Sequence, residues 1–202
     1  MNPRNALSGL DSLLVVRTLD QGTIGDLGRL FDSSSATRGC WCMWFIIPVK
    51  DFHAGHGEQN GRLFAALVER ERVPMGLLAY AGSEPVGWIA AGPRSRYVRA
   101  VKTPTLRDGD PLENDSVWLV SCFFVRQEFR RRGITGILLD EAVTLAGRHG
   151  ALAVEGFPTK GNRIGAADSQ VGTEYMFAKR GFRPVREPST NRVIMRLELQ
   201  AR

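Results

Sequence analysis

Apolar positions in this chain alternate between two periods, and the changes mark its elements. From 117 to 125 (VWLVSCFFV) nearly every residue is apolar, which predicts a buried strand. A polar stretch follows at 126–132, ending in three consecutive arginines, and then Gly133. Beyond it Ile134, Leu138, Ala142 and Leu145 recur at helical spacing. Ile137 and Val143 widen that stripe, and Gly150 stops the helix. The stretch 116–150 is therefore strand, basic turn, glycine, helix.

The same reading sets out the rest of the chain. Residues 13–17 (LLVVR) predict a first strand, and 21–31 a helix carrying Ile24, Leu27, Leu30 and Phe31. The glycine-rich 55–61 predicts a loop or a helix lead-in, and 63–72 (LFAALVERER) a helix that Pro74 follows. Residues 75–80 and 85–91 are strand candidates joined by a turn at Gly82, Ser83 and Glu84. The polar stretch 93–115 predicts a solvated excursion, with a substrate-side loop as the alternative. A strand at 151–157, a loop at 161–170, a short helix at 171–180, and strands at 182–185 and 192–199 complete the series. No repeat, low-complexity block or linker interrupts it, so 1–202 reads as a single α/β domain.

Composition narrows the function classes. Of 202 residues, 27 are Lys or Arg and 21 are Asp or Glu, giving a net charge of +6. That is mild for a nucleic-acid binder, and Tyr97 alone interleaves an aromatic among the basic residues of 93–115. No apolar run approaches the roughly 20 residues that span a bilayer. Nothing at the start reads as a signal peptide, so the expectation is a cytoplasmic protein away from membranes. Three cysteines do not make a disulfide framework.

The segment 38–45 (RGCWCMWF) has the most unusual composition. Cys40 and Cys42 with His53 and His56 offer zinc-type ligands, but C-x-C with H-x-x-H departs from zinc spacing. No metal is expected. Core packing and the wall of an acceptor pocket are the readings that remain.

The basic turn suggests chemistry. A helix N-terminus exposes unpaired N–H groups at the positive end of the helix dipole. Glycine lets the backbone approach a ligand, and arginine forks suit phosphate. Strand, arginines, glycine and helix in this order make an anion cradle, most naturally for a pyrophosphate. No G-x-G-x-x-G follows a strand and no G-x-x-x-x-G-K-[ST] occurs, so neither a dinucleotide fingerprint nor a P-loop is present.

Val125-x-x-x-x-Arg130-x-x-Gly133-x-Thr135-Gly136 resembles the acyl-CoA-binding motif of the GNAT superfamily of N-acetyltransferases. Gln127 stands where that family commonly has proline, and Thr135 where it has Gly or Ala. The resemblance implies a GNAT-type α/β (α+β) fold. Its mixed, mostly antiparallel central sheet is flanked by helices and splayed at the cofactor site, between the strands ending at Val125 and Phe157. It implies acetyl-CoA as cosubstrate. The cofactor-binding set is then Phe123, Phe124, Val125, Arg130, Arg131, Arg132, Gly133, Ile134, Thr135 and Gly136. Family members are often homodimers, and nothing in the sequence fixes an interface.

The implied reaction is acetyl transfer to a primary amine, a protein lysine or a small molecule, by direct attack in a ternary complex. The backbone N–H of Val125 would polarise the thioester carbonyl. Glu155, a charge in the middle of ALAVEGF, is the candidate general base. Cys122 lacks a visible His partner and reads as core rather than nucleophile. Many family members place a Tyr four residues before a Gly-Phe pair as general acid. Phe177 occupies that position here, Tyr175 points elsewhere, and Gln170 stands about where an Asn is common. The alternatives are a catalytically silent acyl-CoA-binding or sensing module and a basic nucleic-acid-binding protein.

Overall fold

The computed structural model describes residues 14–161 and 170–200. Leu13 and most of the expected 161–170 loop lie outside them. Among the described residues seven strands form one sheet in the order β1-β2-β3-β4-β5-β7-β6. They are β1 Leu14–Thr18, β2 Gly76–Ala81, β3 Glu84–Pro93, β4 Val117–Val125, β5 Ala153–Gly156, β6 Arg183–Ser189 and β7 Arg192–Glu198. Five helices accompany them: α1 Ile24–Asp32, α2 Val49–Ala54, α3 Glu58–Arg70, α4 Ile134–Arg148 and α5 Glu174–Ala178.

All nine residues of β4 are buried, as a central strand covered on both faces requires. Phe123 and Val125 face the layer of α4 and α5, with Leu138, Ala142 and Phe177. Cys122 and Phe124 face the opposite layer, with Leu27, Phe31 and Phe64 of α1 and α3. Every pairing is antiparallel except β4 with β5, which runs parallel and covers only Val117–Val120 against Ala153–Gly156. Beyond Val120 the two strands part, and the edge of β4 from Ser121 onward opens toward the splay. Against β3, Ala90 pairs with Cys122 and Ala91 with Val120, so Ser121 is an extra, bulged residue where the split begins.

Two expectations are decided by the structure. Of the two readings of 55–61, the helix lead-in holds: it contains the start of α3, and α2 precedes it. Asn60 is fully buried and donates to Phe52 O at 3.2 Å, which turns the polar lead-in into an anchored first turn. The excursion at 93–115 is solvated only in part: Arg107, Asp108 and Leu112 are exposed, but its first half turns inward. Its short 3-10 turns carry Arg94 (3% exposed), Tyr97 (1%) and Ala100 (0%) inward, beside Leu119 and Phe157.

Candidate active site

At the far end of β4 the chain builds a tight basic turn. Arg131 (φ 59°) and Gly133 (φ 79°) are both left-handed, the backbone geometry that lets neighbouring N–H groups converge in anion nests. Gly133 then caps α4, with no side chain contributing to the cap. A Cβ placed on Gly133 would meet no protein atom. Glycine is needed there for its φ, and the space in front of it is open. The N–H groups of Ile134 and Thr135 precede the first intrahelical bond and keep their donor capacity.

The arginines do more than face a ligand. Arg130 Nε donates to Val125 O at 3.0 Å, and Arg132 Nη2 donates to Glu128 O at 2.8 Å with its guanidinium over Phe129. Arg126 bridges Glu84 and Glu128. The loop is tied to the strand end by the residues that also give it positive charge.

Gly136 departs from expectation. Its N–H donates to Gly133 O at 2.9 Å, so it belongs to the helix and not to the cradle. The close approach that requires a glycine there is made by Arg180, whose guanidinium occupies the place of a Cβ. Arg180 Nε also binds Gly136 O at 2.9 Å and Asp140 at 2.8 Å. The sequence shows no local sign of this, because 44 positions separate the partners.

The backbone of β4 divides by register. Arg126 N–H donates to Val86 O across to β3. Alternation turns the N–H and C=O of Val125 and Phe123 to the other, splayed edge, and those of Phe124 back to β3. The Phe124 ring packs on Phe31 with centroids 6.2 Å apart. Phe124 thus turns its ring to α1 and its backbone to β3, while Phe123 and the N–H of Val125 turn toward the split and Val125 O is already taken by Arg130.

Glu155 is buried among arginines. It is 5% exposed and receives Arg94 Nη1 at 3.0 Å and Arg196 Nη1 at 3.1 Å, one on each oxygen. Arg196 continues to Glu113 with two bonds of 2.8 and 2.9 Å. Those bonds hold the Glu113 carboxyl below its ordinary range. A general base must offer a lone pair to the acceptor. Glu155 joins a buried ion-pair network through both oxygens, surroundings that suit a structural carboxylate as well as the expected base.

At the apex of the split lies a cavity of about 630 Å³. Cys122 of β4 and Phe157, just beyond β5, mark where the strands part, and Cys40, Cys42, Trp44 and Phe45 form another wall. The unusual 38–45 segment is thus both core and pocket wall, with Cys42 and Met43 buried among Leu27, Phe31 and Phe64. Thr103, Thr105 and Leu106 bring the 93–115 excursion to the same cavity, the position a substrate-side loop takes. Cys42 (φ 53°) of this wall and its neighbour Trp41 (φ 50°) hold consecutive left-handed conformations. Such strain in non-glycine residues gathers at functional sites.

The Cys40 and Cys42 thiols are neutral wall atoms. Burial pushes the Cys40 thiol up to about 12. A hydrogen bond with Cys122, followed by burial, raises Cys42, and Trp88 Nε1 donates to Cys42 Sγ at 3.2 Å. His53 and His56 pack on Phe52 with ring centroids 5.4 and 5.8 Å apart. Among the described residues no three His, Cys, Asp or Glu side chains gather as a metal site would.

Phe177 is fully buried, with Phe123 and Phe182 edge-on at 6.1 and 5.0 Å. A Cβ on Gly156 would run into its ring. Tyr175 is 73% exposed.

The family model described as Acetyltransferase (GNAT) family matches residues 41–164, which takes in the cavity wall, β4, the cradle and β5. The chain belongs to the GNAT acetyltransferase family. Solved structures share the fold at low identity. PaiA N-acetyltransferase from Thermoplasma acidophilum, in complex with coenzyme A, is 15% identical with a TM-score of 0.55, over 92% of this chain and 99% of its own. The structure of yncA from Salmonella typhimurium with acetyl-CoA is 13% identical with a TM-score of 0.56, over 93% and 95%. An acetyltransferase from Thermus thermophilus is 18% identical with a TM-score of 0.53, over 92% and 97%. No curated protein sequence matches the chain. No helix among the described residues is long and apolar enough to cross a membrane.

Proposed function

We propose that this chain is a cytoplasmic N-acetyltransferase that carries an acetyl group from acetyl-CoA to a primary amine by direct attack in a ternary complex. The observation that carries the reading is the order of three features along one strand: the left-handed turn at Arg131 and Gly133, the β4 edge at Phe123 and Val125 that β5 does not cover, and the cavity beside Cys122.

Acetyl-CoA, when bound, supplies an acetyl group activated as a thioester. The N–H groups of Arg131 to Thr135, with Arg130 and Arg132, hold the pyrophosphate. The backbone groups of Phe123 pair with the pantetheine amides as a missing strand would. One N–H at this edge, that of Val125, polarises the acetyl carbonyl. The cavity walls hold the acceptor against it, and holding both reactants together removes much of the barrier.

A second reading has its own support. Phe177 stands where an acid is common and Glu155 is committed to arginines, which suits a chain that binds acyl-CoA without turning it over. Calorimetric titration with acetyl-CoA, desulfo-CoA and dephospho-CoA, followed by an acceptor screen, separates the readings. Micromolar binding that weakens with loss of phosphate, together with an acetylated amine, supports the transferase. Binding with no turnover across the acceptor classes supports the silent module. No binding sinks both.

A further inference from the structure

Two thiols from distant segments meet in the wall of the cavity. Cys122 sits on β4, where it pairs with Ala90 of β3. Trp88, two residues back along β3, lies on the same face, and Cys42 packs there with all three. Trp88 Nε1 donates to Cys42 Sγ at 3.2 Å, which holds that sulfur against the sheet beside Cys122. Cys42 and Cys122 are in hydrogen-bond contact, and both line the cavity. Cys40 lines it as well, but its sulfur faces the backbone N–H groups of Cys42 and Trp44.

The backbone bends to make the contact. Cys42 is left-handed at φ 53°, as is Trp41 before it. A residue other than glycine keeps that conformation only where its surroundings over-determine it. Here the donation from Trp88 and the burial of Cys42 do so.

The transfer chemistry leaves both thiols without a role. Sulfurs in contact suit a redox step, because a sulfenic acid on one condenses with the thiol of the other. The second thiol is already in place, and that proximity speeds a reaction between buried groups. The cavity of about 630 Å³ admits a small oxidant to them.

We propose that Cys42 and Cys122 are a reversible oxidation site, closed to a disulfide by a peroxide that enters the cavity. The Cys122 sulfur takes one oxygen of the peroxide as the O–O bond breaks. The thiol proton leaves with the other oxygen, as water or an alcohol. The Cys42 sulfur then attacks the Cys122 sulfenic acid, its proton passes to the departing hydroxyl, and water is released. In all, two electrons pass from the sulfur pair to the peroxide. Cys42 keeps its proton until that second step, since its hydrogen bond with Cys122, and then burial, push its pKa up.

The disulfide ties the 38–45 turn to β4 where the acceptor would be held. That acetyl transfer then stops until a thiol reductant reopens the cavity is a consequence resting on the N-acetyltransferase reading. The site itself does not rest on it.

The test uses the full chain and hydrogen peroxide, with neither acetyl-CoA nor an amine present. After free thiols are blocked, the tryptic peptides 39–50 and 108–126 are followed by mass spectrometry without reduction. The expected product is 39–50 joined to 108–126, with tryptophan fluorescence quenched as the bridge forms beside Trp88. Dithiothreitol should reverse both. Cys40→Ser should still form the bridge. Cys42→Ser should abolish it and leave Cys122 as a sulfenic acid that dimedone labels. If Cys40 is oxidised while Cys42 and Cys122 stay unbridged, or if the bridge appears only after thermal unfolding, the proposal is overturned. Undiminished acetyl transfer by fully bridged protein would overturn the closing of the cavity. A bridge in a chain that acetylates no amine supports the site and counts against the transferase reading alone.

Discussion

Arg180 lies across Gly136 at the first turn of α4, its guanidinium filling the volume a Cβ would take and its Nε bound to Gly136 O at 2.9 Å. The chain after α5 is thereby clamped to the helix whose N-terminus forms the cradle. Gly136→Ala should gain about 1 kcal/mol of helix propensity but displace that guanidinium. In a double-mutant cycle with Arg180→Ala, measured by denaturant unfolding, a coupling of about 1 kcal/mol or more is expected. Additive effects would mean that the two do not meet in solution.

Gly133 separates backbone strain from ligand space. Gly133→Ala places an L-residue in the left-handed region and should cost about 1–2 kcal/mol of stability. Gly133→Asp adds a carboxylate facing the open side of the cradle. Its affinity for acetyl-CoA should fall on the order of a hundredfold while the thermal unfolding transition stays cooperative. Equal affinity in the two variants would show that the pyrophosphate binds elsewhere.

Glu155→Gln discriminates between scaffold and base. Removing the charge leaves Arg94, only 3% exposed, short of one partner. Stability should drop by about 3 kcal/mol. Turnover per folded molecule and its pH profile should stay close to those of the parent. A loss of about a hundredfold or more in turnover, with the acidic limb of the profile moved, is what removal of a general base produces and would assign that role to Glu155.

The Glu113–Arg196 pair should make stability depend on acid. The Glu113 pKa is lowered from 4.5 in the folded chain, chiefly by its hydrogen bonds from Arg196. The unfolded chain therefore binds the proton first as pH falls, and the contribution of Glu113 is present above that ordinary value. The stability difference between the parent and Glu113→Gln should be largest near neutrality. It should shrink below pH 4.5 and vanish once the pH passes below the lowered folded value. A difference independent of pH across that window would contradict the pairing.

Cys40 should be slow to alkylate. With its thiol pushed up to about 12 it is almost wholly protonated in mildly alkaline buffer, and the thiolate is the reactive form. Iodoacetamide should modify it at least about a hundredfold more slowly than a free thiol, as read by mass spectrometry of Cys40 peptides. Fast modification under those conditions would mean that the cavity wall is not closed over the sulfur.

The central strand, the basic turn and α4 are legible in the sequence because their signals are local. A nine-residue apolar run, three arginines, one glycine and a 3.6-residue stripe each act through neighbours in the chain. The left-handed cap at Gly133 is local in the same sense, since it is decided by that residue's own φ. The surroundings of Gly136, Phe124 and Glu155 are not legible there, because each depends on distant partners. Arg180 approaches Gly136 from 44 positions away, and Arg94 and Arg196 reach Glu155 from 61 and 41.

The excursion at 93–115 misleads in the same way. Its composition is that of a solvated loop, but ion pairs formed only in the folded chain carry Arg94 inward. The cavity is the least legible feature of all. The strand, the turn and the helix that make the cradle can be read from the order of residues alone. Only the tertiary structure joins the 38–45 turn, α2, the excursion, the β4 bulge and the start of β7 around one volume. A pocket wall is a surface shared by segments far apart in the chain, and no local period records it.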